Sequence, residues 1–449
     1  MEKTRDHFSS QFGVLVAVAG SAVGLGNFWR FPYLVGIYGG AAFIIVYILF
    51  VVLLCLPIMF SEFIIGRRTH RNAYGAFKKL APGTAWCGIG ILSVAAAFAI
   101  LSFYCVVGGW TIEYIYQSVA GLSHDTDILH YNFSSFVGSP VRPILWHLLF
   151  LGASAIIVVA GIKKGIEKYT KILMPVLLLM IICLAVRVLF LPEASKGIAF
   201  LLQPDFSKIT AESLLAAMGQ AFFSLSLGMG CVITYASYVK KEESIIKLSF
   251  LSGFADLGFA LLASLAIMPA VFAFGISPSE GPSLVFITLP RIFAQLPLGG
   301  AIAFVFFVSL LIAAITSAIS LIEVATAYFS EELKMSRRTA VIITASIIAV
   351  TGSLSSLSMG VLKDVTFFGK GFFDMFDYLA SNILLPLGGL FIVIFIGWIL
   401  KKTAVKDELS SSGRYRVPLF GLTMFIIKFL APVAITLIFL NSLGLLKLF

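Results

Sequence analysis

The chain alternates long apolar runs with short polar connections from end to end. Eleven runs stand out, over about 11–34, 41–66, 88–119, 142–160, 167–191, 213–239, 244–274, 298–330, 338–354, 374–400 and 417–445. Each is at or near the ~20 residues an α-helix needs to cross a ~30 Å hydrocarbon core. Two of the runs are broken in the middle. The first carries Gly20-Ser21-Ala22-Val23-Gly24-Leu25-Gly26-Asn27, followed at once by Phe28-Trp29-Arg30-Phe31-Pro32. The sixth carries Gln220-Ala221-Phe222-Phe223-Ser224-Leu225-Ser226-Leu227-Gly228-Met229-Gly230. Glycine weakens a helix by about 1 kcal/mol against alanine, and loosened backbone inside a bilayer must find partners other than lipid. Small residues also serve close helix packing. Two Gly-interrupted runs standing five apart, however, point to an inverted repeat around a site at mid-membrane. The pattern predicts an all-α polytopic membrane protein of eleven transmembrane helices in one domain over 1–449. Residues 1–191 form a first five-helix repeat, 213–400 a second, and 417–445 an added helix.

Composition agrees with this reading. The chain is 59% hydrophobic and 12% charged, against about 25% charged in soluble domains. A net charge of +10 invites a nucleic-acid partner, but its distribution removes the need for one. Alternate connections hold Lys3 and Arg5; Arg67, Arg68, Arg71, Lys78 and Lys79; Lys163, Lys164, Lys168 and Lys171; Lys240, Lys241 and Lys247; Lys334, Arg337 and Arg338; and Lys401, Lys402, Lys406, Arg414 and Arg416. That is 22 of the 32 lysines and arginines. The positive-inside rule makes this basic side cytoplasmic, with the N-terminus inside and, for an odd span count, the C-terminus outside. Met1–Gln11 is polar and the first run is too long and too broken for a signal sequence. The five cysteines have no metal spacing and read as packing residues. Lys401–Arg416 reads as a solvated linker, and Ser283–Ala294 as a short helical cap dipping toward the core. Nothing in the pattern fixes an oligomeric state.

Broken helices expose N–H groups that attract carboxylates and C=O groups that attract cations. Near the breaks lie side-chain oxygens suited to a hard cation: Asn27, Ser224, Asp256, Thr316 and Ser317. Asp256 stands well inside span seven. A carboxylate there costs roughly 3 kcal/mol and is functional by default; the competing reading is a structural pair with a distant Lys or Arg. Glu323, near the inner end of span eight, reads as a helix-end carboxylate reaching water, with a proton-linked role as the alternative. No metal cluster or nucleophile–base pairing suggests an enzyme. A sodium-conducting channel and a sensor that occludes its ligand without transport share these features with a transporter.

The run Gly24-Leu25-Gly26-Asn27-Phe28-Trp29-Arg30-Phe31-Pro32, the Gln220–Gly230 run continuing into Ile233-Thr234-Tyr235-Ala236-Ser237-Tyr238, and Thr316-Ser317 resemble the neurotransmitter:sodium symporters over essentially the whole chain. The resemblance is to the bacterial amino-acid branch, which implies the bacterial plasma membrane. It implies two Na⁺ sites: one from the Ala22 carbonyl, Asn27, Ser224 and Asp256, completed by the substrate carboxylate; the other from carbonyls of Gly20, Val23 and Ala313 with the hydroxyls of Thr316 and Ser317. The substrate would lie against Ala22, Gly24, Leu25 and Gly26, with Tyr104 on its carboxylate and Phe223 as a lid. Ser224, Ser226, Met229, Ile100, Ser317 and Leu321 would complete the pocket. Monoamine transporters of the family carry Asp where this chain has Gly24, which implies a neutral L-α-amino acid, with Met229 suiting a hydrophobic or aromatic side chain. Chloride-dependent relatives carry a serine near the first site; Asp256 would supply that charge, so chloride would not be required. Arg30 with Asp377 resembles the family's outer gate. Arg5 with Glu331 resembles the inner one, with Phe8, where relatives often carry Trp, and Tyr238. Gly165 and Pro175 resemble a motif that lets span five unwind.

Overall fold

The computed structural model describes residues 7–275 and 284–446. Among them all regular structure is helical, apart from one isolated bridge between Phe367 and Lys370. Among the described residues nine helices are long and apolar enough to cross a membrane: Ala41–Thr69, Ala85–Ala120, Arg142–Val159, Ile162–Leu189, Ile245–Ala273, Gly299–Glu332, Arg337–Leu357, Phe372–Ile399 and Phe420–Ser442. A tenth crossing is the pair Gln11–Ala22 and Gly26–Ile37, bent by 54°. The predicted span over 213–239 is divided into Ala211–Ser224 and Cys231–Ala236, each too short to cross alone. The expected cap is helical over Leu284–Ala294.

Proline shapes several of these helices. It lacks an N–H and its ring crowds the carbonyl four residues earlier. The chain answers with widened π turns just before it: Gly26–Arg30 before Pro32, Val51–Cys55 before Pro57, Leu379–Leu384 before Pro386 and Ile426–Leu430 before Pro432. Span five is continuous, its first turn π-helical over Ile162–Glu167 and Pro175 lying inside the α-helix that follows. Span one lies against spans five, seven and eight, with Val14 and Val16 to Ala19 buried. The two parts of span six lie against span two, and its second part also against span eight, so both broken helices are held in protein, where their loosened backbone can find partners.

One expectation is corrected. Lys401–Arg416 is not a free linker: Lys402–Leu409 is helical, with Val405, Glu408 and Leu409 buried. Arg67, wholly buried, donates from Nε to Glu408 Oε2 at 2.9 Å and from Nη1 to the Glu243 carbonyl at 2.5 Å. Lys241 reaches Asp407 at 3.0 Å, which holds that exposed carboxylate below its ordinary range. Sequence reading missed this because the partners stand more than 160 residues apart.

Candidate functional site

The two breaks face each other. Span one stops at Ala22, and Val23 is extended at φ −70, ψ 107. Span six stops at Ser224, and its break passes through left-handed backbone at Ser226, Gly228 and Gly230. The Ser21 carbonyl accepts from Ser226 Oγ at 2.9 Å and from Ser317 Oγ at 3.1 Å, joining the first break to the second and to span eight. The Gly228 amide donates to Glu62 Oε1 at 2.7 Å. Glu62, wholly buried in span two, was not singled out from sequence, although the argument that flags Asp256 applies equally to it.

The first oxygen cluster is compact. Asn27 Nδ2 donates to Asp256 Oδ1 at 2.7 Å and to Ser224 Oγ at 3.4 Å. Ser224 Oγ donates to the Asp256 carboxylate at 2.9 and 3.0 Å. Asn27 Oδ1 accepts from the Gly24 amide at 3.0 Å. Asn27 and Asp256 have no exposed surface, and among the described residues no Lys or Arg pairs with Asp256, against the structural reading of that carboxylate. The Tyr47 hydroxyl and Gln220 Oε1 are buried without a hydrogen-bond partner.

The second cluster lies on span eight. Thr316 Oγ1 donates back to the Ile312 and Ala313 carbonyls at 3.1 and 3.0 Å, a common habit of helical threonine. Gly20 faces Thr316 and Met174, and Val23 is buried among the same spans.

Between the clusters, Ala22, Gly24, Leu25, Gly26, Ile100, Tyr104, Phe223, Ser224, Ser226, Met229, Ser317 and Leu321 line one cavity. Its volume is about 20 Å³, room for about one water. The Leu25 amide donates to the Tyr104 hydroxyl at 3.2 Å. A Cβ on Gly24 would come 2.8 Å from that hydroxyl and 3.3 Å from Ser317 Oγ, so a larger residue there would require Tyr104 to shift. A cavity of about 300 Å³ lies next to it, between Tyr104, Phe223, Arg30 and Asp377, and Phe223 lines both. Arg30 rests on the Phe223 ring, 5.1 Å from its centroid, and Asp377 accepts from Ser381 at 2.9 Å. The two line this cavity without forming an ion pair.

The basic end of the pathway is packed shut. Phe8, 3% exposed, meets the Tyr235 and Tyr238 rings at 5.9 and 6.4 Å. The Tyr238 hydroxyl donates to Glu323 Oε1 at 2.7 Å, and Arg337 holds both Glu323 oxygens at 3.1 and 2.5 Å. This corrects the reading of Glu323 as reaching water: its carboxylate is held by Tyr238 and Arg337 and has no exposed surface. Glu331 accepts from Asn72 at 2.9 Å. Its expected partner, Arg5, lies outside the described residues.

The model of the sodium:neurotransmitter symporter family matches residues 5–132 and 132–447. YhdH of Bacillus subtilis, an uncharacterized sodium-dependent transporter, is 40% identical over 98% of each chain. An uncharacterized sodium-dependent transporter of Methanocaldococcus jannaschii is 31% identical over 98% of this chain and 90% of its own. The crystal structure of MhsT in complex with L-phenylalanine matches with a TM-score of 0.89 at 44% identity, covering 98% of this chain and all of that one. The chain therefore belongs to the sodium:neurotransmitter symporter family and is a sodium-dependent secondary transporter of the membrane, not an enzyme.

Proposed function

We propose that this protein couples Na⁺ entry to the import of a neutral L-α-amino acid with an apolar or aromatic side chain, with no need for chloride. One observation carries the reading: a single cavity touches both oxygen clusters, sharing Ala22 and Ser224 with the first and Ser317 with the second. The first Na⁺ takes the Ala22 carbonyl, Ser224, Asp256 and Asn27. Asn27 serves once its amide turns to present Oδ1 in place of Nδ2. The substrate carboxylate completes this shell, in the room that Gly24 leaves and within reach of the Tyr104 hydroxyl. The second Na⁺ takes the Gly20, Val23 and Ala313 carbonyls with Thr316 and Ser317. All these ligands are oxygens, as a hard cation prefers.

Because ion and substrate share a ligand, each raises the affinity for the other by the same factor. The cavity is too small for an amino acid until Phe223 and Met229 give way. Entry is from the Arg30–Asp377 side, and pairing of Arg30 with Asp377 over Phe223 then closes it. Release is toward the basic side, taken as cytoplasmic in a bacterial inner membrane, once Phe8, Tyr238 and the Arg5–Glu331 pair part. The inverted repeats over 1–191 and 213–400 each contribute one broken span to the site. The aromatic preference is supported by the L-phenylalanine held in the MhsT structure. Asp256 supplies a fixed negative charge next to Asn27, Ser224 and Tyr47, which supports chloride independence.

The test is uptake into proteoliposomes under an imposed Na⁺ gradient, across twenty amino acids, with chloride or sulfate. Accumulation of apolar and aromatic amino acids, equal in both salts, is expected. Saturable binding without accumulation would make the protein a sensor, and Na⁺ flux that no amino acid saturates would make it a channel; either outcome overturns the proposal.

A further inference from the structure

Away from the pathway, Lys428 is a cation inside a membrane span with no carboxylate partner among the described residues. Lys428 lies in Phe420–Ser442, eight residues past its start. Its ammonium sits 4.2 Å from the Trp398 ring centroid and 5.7 Å from that of Phe429. Among the described residues no carboxylate lies within ion-pair distance of it.

The local structure fixes this placement. Pro432 has no N–H, so the Lys428 carbonyl four residues earlier loses its helical donor, and the helix widens over Ile426–Leu430. The Trp398 indole Nε1 donates to that carbonyl at 3.2 Å and holds the ring beside the ammonium. Span ten has its own π turn here, Phe395–Ile399; such turns often mark functional places. Gly397 permits the crossing, since a Cβ there would already lie 3.0 Å from the Lys428 Cα.

The surroundings are cationic and apolar together. Span ten ends at Ile399, Leu400 is extended, and Lys401 and Lys402, which follow at once, are both exposed. Lys402 lies 5.7 Å from the Phe420 ring. The acids of the next helix, Asp407 and Glu408, are engaged by Arg67, Arg68 and Lys241. Trp398, Phe425 and Phe429 are 56%, 56% and 48% exposed. A cluster of this kind, basic at one level and greasy below it, matches a ligand with an anionic head and an apolar tail.

We propose that the Trp398–Lys428 crossing, with Lys401 and Lys402, binds the phosphate headgroup of an anionic phospholipid from the leaflet on the basic side. Lys428 meets the phosphate at the acyl boundary, Lys401 and Lys402 meet it from the water side, and the acyl chains lie along Phe425 and Phe429. Each cation is worth about a fivefold change in affinity for an anionic lipid.

The full-length protein in detergent micelles is titrated with dioleoylphosphatidylglycerol, dioleoylphosphatidylcholine or inorganic phosphate, and its thermal unfolding midpoint is followed. Phosphatidylglycerol alone should raise the midpoint, and Lys428→Met should shift its half-saturating concentration upward about fivefold. An unchanged phosphatidylglycerol response in Lys428→Met overturns the proposal, as does equal stabilisation by phosphatidylcholine or by free phosphate. Should Lys428→Met fail to fold, the wild-type protein decides through quenching of Trp398, read as the difference between wild type and Trp398→Phe. Brominated phosphatidylglycerol must quench it at lower mole fraction than brominated phosphatidylcholine; equal quenching overturns the proposal.

Discussion

The two oxygen clusters beside the cavity are built on opposite plans. The first joins side chains from three spans, Asn27, Ser224 and Asp256, within 2.7–3.4 Å of one another, and includes a carboxylate with no exposed surface. The second takes its two hydroxyls from neighbouring positions on one helix, and its other oxygens are backbone carbonyls. Thr316 is satisfied by its own helix, and Ser317 by the Ser21 carbonyl. One cluster offers charge, the other dipoles in fixed places. A charged ligand depends on residue identity, whereas a carbonyl survives substitution of its side chain. The sodium dependence of the protein should therefore be fragile at the first cluster and graded at the second.

The largest effect is expected from Asp256→Asn, which keeps the shape and removes the charge. Losing one member of a buried charged contact costs about 3–5 kcal/mol, or two orders of magnitude or more in Na⁺ affinity. Sodium titration of substrate binding should show it. A variant with near wild-type sodium affinity would break the contrast at its strong end. Next comes Asp256→Ser, which should be inactive in sulfate and partly active in chloride, the anion replacing the missing charge. Equal activity in the two salts would remove Asp256 from its role beside the first site.

Much of this contrast was legible in the chain. Asp256 stood out as a carboxylate within an apolar run, and the Gly-rich breaks located the cavity because they recur in two runs standing five apart, a register that close packing alone does not require. Ten of the expected spans were legible because hydropathy decides most of what crosses a bilayer. What escaped were partnerships made across the fold. Glu62 caps the Gly228 amide 166 residues away, and no local pattern announces that. Glu323 was misplaced because what covers it, Tyr238 from the broken sixth span and Arg337 from the start of span nine, comes from elsewhere in the chain. The π turns were equally hidden, since a proline announces a disturbed helix but not the widening that relieves it.

At the second cluster Thr316→Val is the graded case. It removes one hydroxyl ligand and keeps the branched shape. A single neutral hydrogen-bonding group is worth about 1 kcal/mol, so sodium affinity should fall about five- to tenfold, with the Hill slope of sodium-dependent uptake reduced. A loss as large as that of Asp256→Asn would show that the hydroxyl, and not the carbonyls, dominates this site.

The smallest effect on sodium is expected where a proposed ligand is backbone. Val23 contributes its carbonyl, and its side chain is wholly buried. Val23→Ala deletes two methyl groups from a packed position, which costs about 2 kcal/mol of stability, yet leaves the carbonyl in place. The variant should unfold at a lower temperature while its half-saturating sodium concentration stays within about twofold of wild type, well inside the tenfold that 1.4 kcal/mol represents. Thr316→Val should show the reverse, with little change in unfolding and a clear change in sodium. Measured side by side, the two variants separate ligation from packing. If Val23→Ala weakens sodium as much as Thr316→Val does, the Val23 carbonyl is held in place by its side chain, and the division between a side-chain site and a backbone site no longer holds.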